Sequence, residues 1–261
     1  MSRFDAYLLE AEKSRGKAIS EDTARELLQK HCKQSVKALR NGTRIYRGVN
    51  KTDSFIYIDP KTGIRRSIDK IPNYYTFILS NDKSWSAYPK RSRSLICSTY
   101  TATGYGTTYN VLFYDGAKIG IVPHSDIWYS WKNISDIVKF MMEVDNIFNL
   151  AHNTTGGTYD KSLKQFKDAC KKVDEAVKND ERMLDELHKR LNSVNTQLRG
   201  NFVYKGSFYK MLVEIFDPKG NGFTVSTIKN VPSNKVEVWS DSEAILIKNG
   251  YPMKILDTIE V

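Results

Sequence analysis

Apolar residues change their spacing several times along the chain, and each change predicts a change of element. Residues 5–13 and 21–40 read as helices: Leu27, Leu28, Cys32, Val36 and Leu39 recur at three and four, Ser20 can cap the second helix, and Asn41-Gly42 stops it. The run Arg44-Ile45-Tyr46-Arg47-Gly48-Val49 then alternates, which predicts a strand. A further strand at 54–58 is ended by Asp59-Pro60-Lys61-Thr62-Gly63, a sequence with strong turn chemistry. Residues 68–82 are ambiguous between helix and strand, because Tyr74, Tyr75, Phe77, Ile78 and Leu79 are almost continuous, and they are read as a helix. The apolar run 94–100 turns abruptly into hydroxyls, as a buried strand does when its end opens onto a cleft. Gly104 and Gly106 mark a flexible loop over 101–108, and Asp115-Gly116 predicts a hairpin between 110–114 and 118–122.

A helical pattern follows from 134 to 151 and is broken at Thr154-Thr155-Gly156-Gly157. No glycine or proline occurs from Tyr159 to Leu198, and Leu163, Phe166, Cys170, Val173, Val177, Leu184, Leu187, Leu191, Val194 and Leu198 keep three-four spacing. Asp180 occupies the one slot that should be apolar, so this segment is a long helix or a helical hairpin packed through a narrow seam. Strands are then expected at 201–204, 208–216, 223–228 and 236–239, with 244–247 and 252–256 closing the sheet. The order is that of an α+β protein with a mixed, mainly antiparallel β core. Its expected organisation is a single domain over 1–261: helices at 1–42, core at 43–125, a helical insertion at 131–200 and the rest of the core at 201–261.

Composition narrows the class. The 261 residues are 40% hydrophobic, with no apolar run long enough to span a bilayer, and Met1-Ser2-Arg3-Phe4-Asp5 opens a polar helical pattern instead of a signal peptide. A soluble protein of a reducing cytoplasm is expected, with no membrane partner. The three cysteines, Cys32, Cys97 and Cys170, lack the spacing of a disulfide framework or a zinc site, and no metal is expected. Forty Lys and Arg against thirty Asp and Glu leave a net charge of +10, which favours an acidic partner such as nucleic acid, an anionic nucleotide or an acidic protein. The densest basic runs are Gly63-Ile64-Arg65-Arg66 and Tyr88-Pro89-Lys90-Arg91-Ser92-Arg93-Ser94, the second lying beside Trp85. Each can hold phosphate and stack bases, or be a solvated basic loop.

The chemistry converges on Val238-Trp239-Ser240-Asp241-Ser242-Glu243-Ala244-Ile245-Leu246-Ile247. In a strand, Asp241 and Glu243 would project together from one edge, and paired carboxylates can divide labour between stabilising a cation and activating a nucleophile. Neither GxGxxG nor GxxxxGK[ST] occurs, and His31, His124, His152 and His188 lie in no HExxH or triad-like frame. What remains, in chain order, is Tyr46-Arg47-Gly48, Cys97-Ser98-Thr99-Tyr100 and Asp241-Ser242-Glu243, with Gly116-Ala117-Lys118-Ile119-Gly120-Ile121 between the last two.

These blocks resemble the arginine, serine, glutamate pattern of the ADP-ribosyltransferases, including bacterial toxins and the T4-type bacteriophage modifying enzymes. The resemblance covers about 41–125 and 201–261. It departs from the family in reading Ser-Thr-Tyr for Ser-Thr-Ser, in having Asp241 in place of Glu or Gln, and in the wide separation of Ser98 from Glu243 that the helical insertion explains. It implies an ADP-ribosyltransferase-like fold and NAD-dependent transfer of ADP-ribose to a macromolecular acceptor, with release of nicotinamide. Arg47 would hold the diphosphate of NAD; Glu243 would stabilise the cation formed at the ribose; Ser98 would hydrogen-bond Glu243; Asp241 would orient or deprotonate the acceptor. Thr99, Tyr100 and Tyr105 would complete the NAD site, with Tyr100 or Tyr105 stacking on nicotinamide and Arg44 the second choice for the phosphate. The acidic Asp241 favours an arginine acceptor, while the basic charge permits nucleic acid, including RNA, and an antitoxin or regulatory partner fits a toxin-like effector. Two other classes remain: a non-enzymatic basic nucleic-acid-binding or phage structural protein, and an inactive transferase serving as a scaffold.

Overall fold

The computed structural model describes residues 16–62, 72, 74–101, 106–155, 159, 161–196, 200–252 and 254–261. The helix expected at 5–13, the basic run at 63–66 and Tyr105 fall outside these residues. The chain divides into two compact units, one of Met1–Asp69, Ala87–Asp126 and Phe223–Val261, the other of Lys70–Ser86 and Ile127–Gly222.

Among its described residues the first unit has nine strands: β1 (Gly16–Ala18), β2 (Tyr46–Val49), β3 (Phe55–Ile58), β4 (Leu95–Ser98), β5 (Thr107–Phe113), β6 (Ile119–Ile121), β7 (Thr224–Ser226), β8 (Glu237–Ser240) and β9 (Ala244–Lys248). They form one sheet in the order β1-β3-β9-β5-β2-β4-β8-β6-β7, antiparallel at every step. Successive side chains alternate between its faces, so the register decides who packs with whom. On β9, Ala244 and Leu246 lie opposite Phe113 and Val111 of β5 and join one buried cluster with Val49, Leu95, Cys97, Ile121 and Val238. This is the inner face. Ile245 and Ile247 join Leu112 and Phe55 on the outer face. There they pack under α1 (Glu21–His31), α2 (Lys33–Arg40) and the α-helical turn Lys254–Asp257. Burial of the apolar residues of the inner and outer clusters is the main force holding the sheet.

The second unit is helical: α3 (Tyr74–Asn81), α4 (Ile137–His152), α5 (Leu163–Asn179), α6 (Glu181–Asn192), α7 (Phe208–Ile215) and the single turn α8 (Pro218–Asn221). Its core is aromatic: Phe148 meets Tyr74, Phe166 and Phe208 edge-on with centroids 5.1, 6.1 and 5.7 Å apart. Asp180, the polar residue in an apolar slot, is the break between α5 and α6. Its carboxylate accepts the Arg182 N–H at 2.9 Å and caps α6. Among the described residues no helix is long and apolar enough to cross a membrane.

Several expectations are corrected. The helix at 21–40 is two helices parted at Cys32, whose backbone turns out of the helical region at φ −123° and ψ 21° while Asp115 caps α2 from a distant loop. The turn at Asp115-Gly116 forms, with Gly116 at φ 79°, but β5 and β6 do not pair: β5 lies between β2 and β9, and β6 between β8 and β7. Residues 208–216 are not a strand, because Phe208, Met211, Leu212 and Ile215 bury one face of a helix capped by Ser207, and 201–204 carry no strand either. The boundary expected at 200 therefore falls at Gly222, with Lys70–Ser86 also in the helical unit. Finally, 252–256 does not close the sheet but ends in the helical turn Lys254–Asp257.

Candidate functional site

At the head of β9 the chain leaves β8 through a bend at Asp241 and Ser242 and enters the sheet at Ala244, which pairs with Ile58 on one side and Phe113 on the other. By alternation Glu243 falls on the outer face, the face of Ile245 and of its partner Tyr57. The Tyr57 hydroxyl donates to Glu243 Oε2 at 2.6 Å, and the Tyr114 N–H donates to the Glu243 carbonyl at 2.9 Å. The Tyr114 ring stacks on His31 at 4.7 Å with planes 13° apart and tilts towards Tyr57 at 6.5 Å. Asp115 locks this arrangement. Its N–H donates to the His31 carbonyl at 2.6 Å, and its carboxylate accepts the N–H groups of Lys33 and Gln34 at 3.2 and 2.8 Å, the orphan donors at the start of α2.

Glu243, Tyr57, Tyr114 and His31 are all half-buried, so the carboxylate is rigidly held and still reachable. Burial, followed by the hydrogen bond to Glu243, pushes the Tyr57 phenol far above its ordinary value. Burial and then the Glu243 charge push Tyr114 up to about 12. Both are therefore neutral hydroxyls at physiological pH. Burial, with the Asp115 charge behind it, also raises the nearby Cys32 thiol, which leaves it protonated and without use as a nucleophile.

The arginine and serine blocks meet elsewhere, at the seam between β2 and β4. Tyr46 pairs with both Asn110 and Ser98, and the Tyr46–Ser98 pair is the one register contact joining β2 to β4 among the described residues. Arg47 fills the opening beside it. Its guanidinium, 5% exposed, donates through Nη1 to the Ile96 carbonyl, an acceptor that the diverging β2 backbone leaves to a side chain. The Ser98 hydroxyl donates to the Tyr100 carbonyl at 2.5 Å; the Thr99 N–H donates to the Val236 carbonyl at 3.0 Å, and its hydroxyl to that of Asn234. The Tyr100 hydroxyl donates to the Ser125 carbonyl at 3.4 Å, and burial raises its phenol, with Asp126 and Glu237 adding to the effect.

Opposite Ser98, on β8, stands a carboxylate of another kind. Glu237 and Arg91 are each 1% exposed and pair at 2.6 Å. Arg91 lies over the Trp239 ring at 5.2 Å, Tyr88 stacks on the same ring at 6.2 Å, and Trp239 Nε1 donates to the Pro89 carbonyl at 2.9 Å. Gly120 lets the indole lie flat on β6, for a Cβ there would stand 2.3 Å from it. Asp241 belongs to this loop: its Oδ2 accepts the Lys90 N–H at 3.2 Å. The basic run at 88–94 is thus an anchored turn with Arg91 inside, and Lys90 and Arg93 exposed.

The expected single site divides accordingly. Arg47, Ser98, Thr99 and Tyr100 come together at the seam, whereas Glu243 does not join them. The row Arg47, Tyr109, Lys248 runs across the sheet, and Glu243 lies five residues down β9 from Lys248, or about 17 Å along the strand direction. Arg47 shares the inner face with Tyr109; Glu243 is on the outer face. The expected Ser98–Glu243 hydrogen bond is replaced by Ser98 to Tyr100, and Asp241 and Glu243 leave the bend towards different partners because no strand aligns them. The residues around Glu243 that the motif did not indicate are Tyr57, Tyr114 and His31. Their signal was weak: Tyr57 is the polar-tipped outward position of an apolar strand, and its partner is 186 residues away.

Among the described residues no cluster of three His, Cys, Asp or Glu could hold a metal ion. Comparison with known proteins finds no matching family model, no matching curated protein and no matching solved structure.

Proposed function

We propose that the chain is an NAD-dependent ADP-ribosyltransferase of the ADP-ribosyltransferase-like fold, acting in the cytoplasm as a toxin-like or phage effector. It transfers ADP-ribose to a protein side chain, arginine by preference, or to nucleic acid. The observation that carries this reading is the Glu243 carboxylate at the head of β9, clamped at its backbone by Tyr114 and at Oε2 by Tyr57, and half-buried. Breaking the bond between nicotinamide and ribose leaves an oxocarbenium-like cation, and a fixed, partly desolvated carboxylate stabilises that charge without reorganising. The local context of the Asp241-Ser242-Glu243 block supports the same chemistry.

Arg47 has a different part in this arrangement from the one the resemblance implies. The diphosphate and the nicotinamide ribose are neighbours in NAD, so one molecule does not reach a guanidinium on the inner face and a carboxylate at the far end of the outer face. Arg47 holds the seam between β2 and β4, and Glu243 carries the reaction. That same separation favours the second reading, a non-enzymatic basic protein that binds polynucleotide.

Label transfer from tagged NAD into a bacterial lysate separates the two, with wild type and Glu243→Gln compared and each sample divided between protease and nuclease. Label that disappears with Glu243→Gln supports a transferase, and the digestion that removes it names the acceptor class. No label and no released nicotinamide, with salt-dependent polynucleotide binding unchanged by Glu243→Gln, refutes the transferase and supports the binding protein.

A further inference from the structure

Resting on the transferase reading, we infer that Tyr57, and not Ser98, is the positioning residue that sets the orientation of Glu243 for reaction. The Ser98 hydroxyl is already committed to the Tyr100 carbonyl two residues on, and Glu243 lies beyond the other end of β9 from the row Tyr46–Ser98 joins. Tyr57 has the reach and the rigidity that Ser98 lacks. It sits on β3, a strand paired on both sides, with Lys17 opposite it on β1 and Ile245 opposite it on β9. A backbone fixed on both edges and a flat ring with two torsions leave its hydroxyl little freedom. Its O–H donates to Oε2 at 2.6 Å, a charge-assisted geometry, and among the described residues Oε1 has no donor. One oxygen is thereby tethered and the other is left for a ribose hydroxyl. The Tyr114 N–H bond to the Glu243 carbonyl fixes the backbone at the same point, so only the side-chain torsions remain, and Tyr57 restrains those.

A tether of this kind acts on the rate and not on NAD binding, since it spares the oxygen that meets the ribose. The test uses the purified full chain and nicotinamide release from NAD, with kcat and KM measured for wild type, Tyr57→Phe, Ser98→Ala and Glu243→Gln. Tyr57→Phe is expected to lower kcat roughly 10- to 100-fold with KM changed less than about 3-fold, as misplacement of a reacting group does, while Ser98→Ala keeps kcat within about 3-fold of wild type. A readout independent of activity accompanies it: in protein labelled at tyrosine Cζ, the carbon resonance that Tyr57→Phe removes should ionise at lower pH in Glu243→Gln than in wild type. An active wild type with an unimpaired Tyr57→Phe, a loss confined to KM, or a larger loss in Ser98→Ala overturns the inference and leaves the transferase standing. A wild type that releases no nicotinamide sinks the transferase reading and the inference with it.

Discussion

Glu237 and Glu243 lie six residues apart, on and just before adjacent strands of the chain, and they have opposite surroundings. Glu237 is sealed from water and neutralised by the Arg91 guanidinium, which is itself fixed over Trp239. Glu243 is half-buried and meets a neutral phenol, which orients the carboxylate without cancelling its charge. The first arrangement is closed to any ligand and would leave a buried charge if either partner were removed; the second leaves a carboxylate within reach. Of the two, the carboxylate whose partner is not a cation is the one open to chemistry.

Substitutions that treat the two carboxylates alike should therefore give unlike results. The largest effect is expected for Glu237→Gln, which strands the buried Arg91 charge and should lower unfolding free energy by about 3–5 kcal/mol in denaturant titration. A cost below about 1 kcal/mol would mean that water reaches the pair and that Glu237 is not sealed. Next comes Gly120→Ala, whose added carbon meets the Trp239 indole and should displace the ring that supports Arg91, at a cost of about 1–3 kcal/mol. A wild-type midpoint for Gly120→Ala would show that the indole is not pressed onto β6. On the Glu243 side, Asp115→Ala removes the carboxylate that caps α2 and so loosens the His31 end of α1 and α2, while the backbone N–H bond to the His31 carbonyl remains. It should cost about 1 kcal/mol, with a larger fractional loss of nicotinamide release than that small destabilisation explains. An unchanged rate would detach the Tyr114–His31 stack from the site.

Much of the fold was legible because periodicity reports burial directly. The three-four spacing from Leu163 onward became α5 and α6, and the misfit Asp180 marked the break between them. The apolar runs at 55–58, 95–98 and 244–248 became neighbouring or central strands. Where density of apolar residues stood in for period, the reading failed. Phe208 to Phe216 is rich in aromatic and branched residues, yet its buried positions at Phe208, Met211, Leu212 and Ile215 are helical. The Asp115-Gly116 turn was correctly seen as a turn, but turn chemistry is local and the partner of β6 is 118 residues or so away on β8, a pairing that only the whole sheet decides. The candidate site was legible to the same extent. Glu243 stood out because a carboxylate at the mouth of an apolar strand is conspicuous, while its company of Tyr57, Tyr114 and His31 depends on register between β3, β5 and β9. The arginine and serine of the motif came together, but on a seam away from the glutamate, because Glu243 stands at the other end of β9 from the row of Arg47 and on the opposite face, a placement that the register of distant strands decides.

Nicotinamide release from NAD by the purified chain, measured for wild type and Glu243→Gln beside their denaturation midpoints, decides whether Glu243 carries the reaction. Glu243→Gln should fold with stability within about 0.5 kcal/mol of wild type, as substitutions outside the packed core do, and should lose roughly 100- to 1000-fold in rate. A folded Glu243→Gln that releases nicotinamide as fast as wild type would contradict the assignment of the reaction to Glu243.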